Sequence, residues 1–227
     1  MGEDETSTTK EVYTVKTYLT EFIGTFFLVL TIGFAVYSGS PLAPLMIGAA
    51  LMAMVYMGGH VSGAHYNPAV TVAVWMRGRL PFSRVVPYWI SQILGSLAAA
   101  FVFHIMTGRT FAPAPSPDTT GTQALIAEIL YTFALALVVL NVATAKATEG
   151  NSYYGLAIGF TVAVGAFAGG QVSGGAFNPA VGVGPIVIEA FVGRGGFGNL
   201  WLYLVGPLVG AVAAALAFKL QHAGAVD

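Results

Sequence analysis

Polar positions are so sparse along this chain that six segments form nearly unbroken apolar runs. They lie near residues 17–37, 44–59, 86–107, 123–145, 153–170 and 199–220. A helix needs roughly 20 residues to cross about 30 Å of hydrocarbon, so each run predicts a membrane-spanning helix. The second and fifth runs are short, and each is followed by a further apolar piece, near 67–76 and near 178–190. These pieces of about 10 to 13 residues are too short to cross, and they predict half-helices that enter from opposite sides.

Both half-helices begin at the same motif, which occurs twice. Residues 60–70 read HVSGAHYNPAV and residues 171–181 read QVSGGAFNPAV. Asn is a favoured N-cap and Pro is favoured at the first helical position, so each copy predicts a loop that turns into a helix. The motif residues are Asn67, Pro68, Ala69, Asn178, Pro179 and Ala180. Because each half holds three spans, the second half (about 123–221) must be inverted relative to the first (about 17–107), as in inverted-repeat membrane proteins.

Composition places the chain in the membrane class and excludes several functions. Hydrophobic residues make up 56% and charged residues 8%, against roughly 25% charged in a typical soluble domain. The net charge of −1 argues against a nucleic-acid partner. The absence of cysteine excludes a catalytic thiol, and the four histidines show no metal-ligand spacing. Without a nucleophile–base pair, we expect no enzyme, no metal and no cofactor.

The distribution of Lys and Arg predicts the orientation. If the N-terminus is inside, seven of the nine cations lie on the inner side and two, Arg109 and Arg194, on the outer side. The inner set is Lys10, Lys16, Arg77, Arg79, Arg84, Lys146 and Lys219. The positive-inside rule therefore predicts cytoplasmic termini. We expect the protein in the cell (inner) membrane. We expect residues 1–16 to be a disordered cytoplasmic tail and residues 17–227 to be one transmembrane domain.

The two motifs predict a passage for neutral molecules. A helix N-terminus carries roughly +0.5 of an elementary charge, so two of them facing each other in the bilayer oppose cations. Capping by Asn67 and Asn178 leaves their amide N–H groups to donate into a lumen, where they break the donor order that proton hopping needs. The loop backbone before each Asn offers a ladder of carbonyl acceptors, at Gly63, Ala64, His65, Tyr66, Gly174, Gly175, Ala176 and Phe177.

Two acidic residues lie inside the spans and repeat with the motif. Glu21-x-x-x-Thr25-Phe26 matches Glu128-x-x-x-Thr132-Phe133. Ionisable groups at such positions face a partner or a functional path. Their symmetric placement favours a structural role, as buried acceptors that hold the loop backbone. The alternative is a proton-carrying role in a secondary transporter.

From about Lys16 to Gln221 the chain resembles the major intrinsic protein family, which comprises aquaporins and glycerol facilitators. The resemblance rests on the two Asn-Pro-Ala motifs in inverted halves, on the lead-in Ser62-Gly63-Ala64-His65 and on the paired Glu-x-x-x-Thr-Phe segments. It implies an all-α membrane protein of six transmembrane helices plus two half-helices. It also implies a passive channel in the lipid bilayer with one pore per subunit, assembled as a homotetramer.

The family also has a second constriction, on the outer side of the asparagines. Its four positions fall on Ile47, Ala166, Gly175 and Val181. Most members carry Arg at the position of Val181, and strict water channels usually carry an aromatic residue at that of Ile47. The constriction should therefore be wide and apolar, which predicts a channel for water and small uncharged solutes: urea, ammonia, glycerol-like polyols and neutral metalloid hydroxides.

Three other functions remain open. A strict water channel would share the whole architecture. A proton-coupled secondary transporter would share the inverted repeat and would use the paired glutamates. A junctional or scaffold protein would have a pore occluded by bulky groups, which the small residues at the four constriction positions disfavour.

Overall fold

The computed structural model describes residues 4–192 and 195–223, with side chains from residue 15 onward. These ranges contain eight α-helices. They are α1 (Asp4–Tyr37), α2 (Ala43–Ser62), α3 (Pro68–Met76), α4 (Val85–Thr107), α5 (Gly121–Thr144), α6 (Tyr154–Ser173), α7 (Pro179–Phe191) and α8 (Leu200–Gln221). Short 3₁₀ turns at Phe82–Arg84 and Lys146–Thr148 precede α4 and follow α5.

The six predicted spans and the two predicted half-helices are confirmed. Six of the described helices are long and apolar enough to cross a membrane, whereas α3 has 9 residues and α7 has 13. The expectation that the second and fifth spans are short is wrong. Both α2 and α6 have 20 residues, because each continues until Gly63 or Gly174 ends it with a positive φ, at 85° and 89°. A Gly in this conformation is a common helix end.

The first helix begins well before its span. Residues 4–16, for which we predicted a disordered tail, are helical and continuous with the transmembrane part. No Gly or Pro occurs between Asp4 and Ile23. Since adding a residue to an existing helix is much easier than starting one, the apolar span can extend the helix into this polar segment. Residues 1–3 lie outside the described residues.

The helix contacts repeat between the two halves. In the first half α1 packs on α4 and α2, and in the second half α5 packs on α8 and α6 in the same way. Each half-helix crosses to the other half: α3 packs on α8, and α7 packs on α4. The halves also meet where α2 packs on α6. Because each half-helix packs on the other half, the N-termini of α3 and α7 meet at the centre of the molecule.

Glycine allows α2 and α6 to approach closely. A Cβ atom added to Gly48 would lie 2.5 Å from the Gly159 carbonyl oxygen, and one added to Gly159 would lie 2.4 Å from the Gly48 carbonyl oxygen. Small residues at a crossing let helix backbones approach in membranes, where van der Waals packing is a main source of association. This crossing fixes how the two halves sit against each other.

Gly159→Ala should therefore force α2 and α6 apart. We expect the free energy of unfolding to fall by about 1–3 kcal/mol, the usual cost of overpacking a close contact. Gly170→Ala in the same helix is the matched control, because a Cβ there meets no atom within 4 Å. Both changes bring the same gain in helix propensity. Thermal unfolding in detergent, followed by circular dichroism, compares them; equal midpoints for the two variants would contradict the close crossing.

Candidate functional site

The two asparagines cap the half-helices as predicted. Asn67 Oδ1 accepts hydrogen bonds from the backbone N–H groups of Ala69 at 2.8 Å and Val70 at 3.4 Å. Asn178 Oδ1 accepts from Ala180 N at 2.9 Å. Both asparagines have extended backbone, and Pro follows each at the first helical position. The local sequence Asn-Pro-Ala thus defines where each half-helix starts.

The amide groups of these asparagines join the two loops. Asn67 Nδ2 donates to the Phe177 carbonyl at 2.9 Å, and Asn178 Nδ2 donates to the Tyr66 carbonyl at 2.8 Å. The prediction that the amide N–H groups are free is therefore wrong for one N–H of each amide. An amide has two N–H groups, so each Asn retains a second one for a molecule in the adjoining cavity. The reciprocal bonds hold the two half-helix starts face to face.

The carboxylate of Glu21 holds the first loop. Its Oε1 accepts from Ser62 Oγ at 2.6 Å and from His65 N at 2.9 Å. Its Oε2 accepts from Tyr66 N at 2.7 Å and from Gln92 Nε2 at 2.9 Å. Tyr66 has φ +47°, a left-handed conformation that is costly for a bulky residue. The four hydrogen bonds fix this backbone inside the protein, where its N–H groups have no water to bind.

Glu128 holds the second loop in the same way. Its Oε1 accepts from Ser173 Oγ at 2.7 Å and from Ala176 N at 3.0 Å, and its Oε2 accepts from Phe177 N at 2.7 Å. Phe177 has φ +50°, close to the value of Tyr66. Both glutamate side chains are fully buried, and neither is among the described residues that line the two cavities below. This geometry supports the interpretation of Glu21 and Glu128 as structural acceptors.

Two tyrosines that the sequence analysis left without a role complete the loop supports. Tyr88 Oη donates to the Ser62 carbonyl, and Tyr203 Oη donates to the Ser173 carbonyl, each at 2.6 Å. Each hydroxyl thereby satisfies one of the last carbonyl groups of α2 or α6. The signal in the sequence was the repeat itself, because the two tyrosines hold matching places in the third and sixth spans.

The first half has an additional network around His65. Thr71 Oγ1 donates to the Asn67 carbonyl at 3.1 Å, accepts from Gln92 Nε2 at 3.0 Å and lies 3.1 Å from His65 Nδ1. Since the single hydroxyl hydrogen of Thr71 is used on Asn67, this network assigns the imidazole hydrogen to Nδ1. His65 Nε2 is then an acceptor. The ring also packs on Tyr88, with centroids 4.8 Å apart, so His65 braces the loop.

A first cavity of about 370 Å³ contains both asparagines. All four positions at which we predicted the second constriction line it: Ile47, Ala166, Gly175 and Val181. Of the predicted carbonyl ladder, Ala64, His65, Tyr66, Gly174, Gly175 and Ala176 line this cavity as well. Phe177 lines neither described cavity, and Gly63 lines the second one. The lining also includes five aliphatic side chains, those of Leu51, Leu135, Val139, Ile158 and Val162.

A second cavity of about 700 Å³ lies at the ends of α2 and α5. It is more polar, and its lining includes Arg79, Arg84, Lys146, Glu149 and His60. The two cavities share His65, Val139 and Ile158 in their walls, so they adjoin at these residues. Three of the seven cations predicted for the inner side lie in this lining. Arg194, predicted for the outer side, is outside the described residues.

The fold and the site together define an integral, multi-pass helical membrane protein whose inverted halves bring two half-helices together at a central cavity. The model of the family described as "Major intrinsic protein" matches residues 8–218. The chain belongs to this family, as its motifs suggested. Members of the family are channels, so this protein is a membrane channel and not an enzyme.

Several curated relatives support the same assignment. Aquaporin NIP1-1 of Zea mays is 37% identical over 216 residues, which cover 91% of this chain and 74% of the relative. Aquaporin NIP1-4 of Oryza sativa subsp. japonica is 39% identical over 214 residues, covering 89% and 75%. Nodulin-26 of Glycine max is 35% identical over 208 residues, covering 91% and 74%. The plant NIP-type aquaporins are thus similar to this chain over most of its length.

A solved structure shows the same fold. The aquaglyceroporin from Plasmodium falciparum superposes with a TM-score of 0.81 at 20% sequence identity, and the match covers 91% of this chain and 96% of that chain. The predicted fold class, six spans and two half-helices in an inverted repeat, is confirmed.

Proposed function

We propose that this channel conducts water and small uncharged solutes through the two adjoining cavities. The observation that carries the proposal is the composition of the first cavity. Its lining joins Asn67 and Asn178 to four constriction positions, Ile47, Ala166, Gly175 and Val181, and none of these four side chains is polar or charged. These four positions contribute no charged group to the passage, and an uncharged molecule does not need one there to replace its contacts with water.

Ions are opposed by the same geometry. The positive ends of α3 and α7 meet at the cavity, where they disfavour cations. The described residues of the cavity wall include no carboxylate that would offset this effect. Anions would pass the aliphatic side chains of the lining, and burying an unpaired charge against such side chains is costly.

The mixed lining of the first cavity supports this solute class. It combines the two asparagines and the loop residues before them with aliphatic side chains. Small molecules that carry several hydroxyl or amide groups can exchange their hydrogen bonds with water for hydrogen bonds with these polar groups. Urea, ammonia, glycerol-like polyols and neutral metalloid hydroxides therefore fit the proposed passage. A strict water channel is the second candidate, and a proton-coupled transporter is disfavoured because Glu21 and Glu128 are engaged by the loops.

Stopped-flow light scattering of proteoliposomes tests the proposal. We expect water, urea and glycerol permeabilities well above those of empty liposomes, with solute flux rising linearly with the gradient. Ammonia entry is followed with an internal pH dye. Water conduction without solute conduction would favour a strict water channel, whereas solute flux that saturates would favour a transporter. Either result would overturn the proposed solute range.

The setting of the channel is part of the proposal. The cations at the second cavity support cytoplasmic termini and a cytoplasmic second cavity, in the cell (inner) membrane. The first cavity then opens outward. We further propose a homotetramer formed by the single domain of residues 17–227. Large apolar side chains exposed on the outer helix faces, such as Phe101, Ile105 and Leu130, are available to lipid or to neighbouring subunits.

A further inference from the structure

The loop between α4 and α5 folds into the first cavity. Phe111, Ala112, Pro113 and Ala114 all contribute to the lining of that cavity. The four positions that we predicted for the constriction come from α2, α6, the second loop and α7. The α4–α5 loop therefore adds a further part of the cavity wall, and this part includes Phe111.

The ring of Phe111 is fixed by its neighbours. It packs edge-on against Phe103, with centroids 4.9 Å apart and an interplanar angle of 79°. A Cβ atom at Gly33 would lie 2.6 Å from the Phe111 ring and 2.9 Å from the Phe103 ring, so Gly at this position leaves room for both rings. Phe111 and Ala112 pack against the apolar cluster that includes Val181. Phe111 thus packs against the same apolar cluster as Val181, the residue at which we predict that Val replaces the usual Arg.

The loop is attached on both sides of Phe111. Thr110 Oγ1 donates to Glu189 Oε1 of α7 at 3.2 Å. Ser116 N donates to the Val172 carbonyl at 3.3 Å. Between these two hydrogen bonds, the backbone of Ala114 lies close to Gly174. A Cβ atom added to Gly174 would lie 2.7 Å from Ala114 N. Attachments to α7 and to the end of α6 keep this loop segment in the cavity wall.

We propose that Phe111 is a specificity-determining residue of this channel, which narrows one end of the first cavity for solutes larger than water. The inference rests on the proposed function. Neither Ile47 nor Val181 supplies a planar or charged group that would restrict the passage. Phe111 has a large side chain, it is one of the residues that line the cavity, and its ring packs against Phe103 and close to Gly33.

Phe111→Ala and Phe111→Trp test the inference in proteoliposomes of the full chain. We expect Phe111→Ala to raise the ratio of glycerol to water permeability by about threefold or more, a barrier change of about 0.7 kcal/mol. Phe111→Trp should lower the same ratio. Phe101→Ala is the matched control, since this phenylalanine is also near the end of α4 but is 52% exposed on the outer face. Phe111→Leu, which keeps an apolar side chain, replaces the Ala variant if that variant does not fold.

The outcomes separate this inference from the proposed function. The inference is supported if the ratio of glycerol to water permeability rises in Phe111→Ala and falls in Phe111→Trp, while Phe101→Ala has the wild-type ratio. If the wild-type protein conducts urea and glycerol but no Phe111 variant changes the ratio, Phe111 is only a packing residue and the inference is wrong. If the wild-type protein conducts no solute at all, the proposed solute range fails first.

Discussion

Glu21→Leu is expected to lower the free energy of unfolding by about 3–5 kcal/mol, because it removes the acceptor that several buried donors share. The change leaves four buried donors without their acceptor: Ser62 Oγ, the backbone N–H groups of His65 and Tyr66, and Gln92 Nε2. Each unsatisfied donor costs about 1–3 kcal/mol when water cannot replace the acceptor. Tyr66 also loses the contact that supports its left-handed backbone. The yield of monodisperse protein and its thermal midpoint in detergent measure the effect.

Two controls define the cause of this loss. Glu149→Gln removes a carboxylate that is exposed in the second cavity, and it should leave the midpoint unchanged. Glu128→Leu should also be severe but milder than Glu21→Leu, because Glu128 accepts three hydrogen bonds from the described residues and Glu21 accepts four. A Glu21→Leu protein as stable as wild type would refute the structural role. A stable Glu21→Gln protein that loses only pH-driven uptake would indicate a proton-carrying group instead.

The architecture could be predicted from the sequence because its signals are local. Six apolar runs, two copies of Asn-Pro-Ala and an odd number of spans in each half suffice for an inverted repeat. The symmetric pair Glu21 and Glu128 indicated where the loops are held. In each case the residue type and its spacing already specify the physical constraint.

Other features depend on how the two halves meet, which no single segment encodes. The amide of Asn67 finds its acceptor 110 positions away, at the Phe177 carbonyl, so its reciprocal bond could not be read from either motif alone. The extra network of His65, Thr71 and Gln92 exists in the first half because three elements converge there. The conformation of the α4–α5 loop depends on its contacts with Glu189 and Val172, and so Phe111 was missed.

The helix ends also depend on contacts that the local sequence does not reveal. The second and fifth spans were predicted to end near residues 59 and 170, where the chain has Gly58, Gly59, Gly169 and Gly170. In the structure these glycines are helical, and the helices end only where Gly63 and Gly174 adopt positive φ. A Cβ at Gly58 would collide with the hydroxyl group of Tyr66, and one at Gly169 would collide with the ring of Tyr131. Gly58 and Gly169 therefore make room for packed side chains and do not end the helices.

Val181→Arg should cut urea and glycerol permeability by about tenfold or more while water permeability falls less, a difference in barrier of about 1.4 kcal/mol. The guanidinium group adds five N–H donors and a charge to a cavity of about 370 Å³ that Val181 helps to line. Val181 itself is 5% exposed and packs in an apolar cluster, so the longer side chain must extend into the free space of the cavity. The narrower passage should lower the permeability of a solute wider than water more than that of water.

Val181→Met separates size from charge. Met adds length without donors or charge, so it should reduce solute flux less than Arg and leave proton flux unchanged. Proton flux, followed with an internal pH dye under a proton gradient, should fall in Val181→Arg alone, because a fixed cation adds a second positive barrier to that of the helix N-termini. Solute and proton fluxes equal to wild type in a folded Val181→Arg protein would show that this position lies outside the conducting path, and the assignment of the constriction would then be wrong.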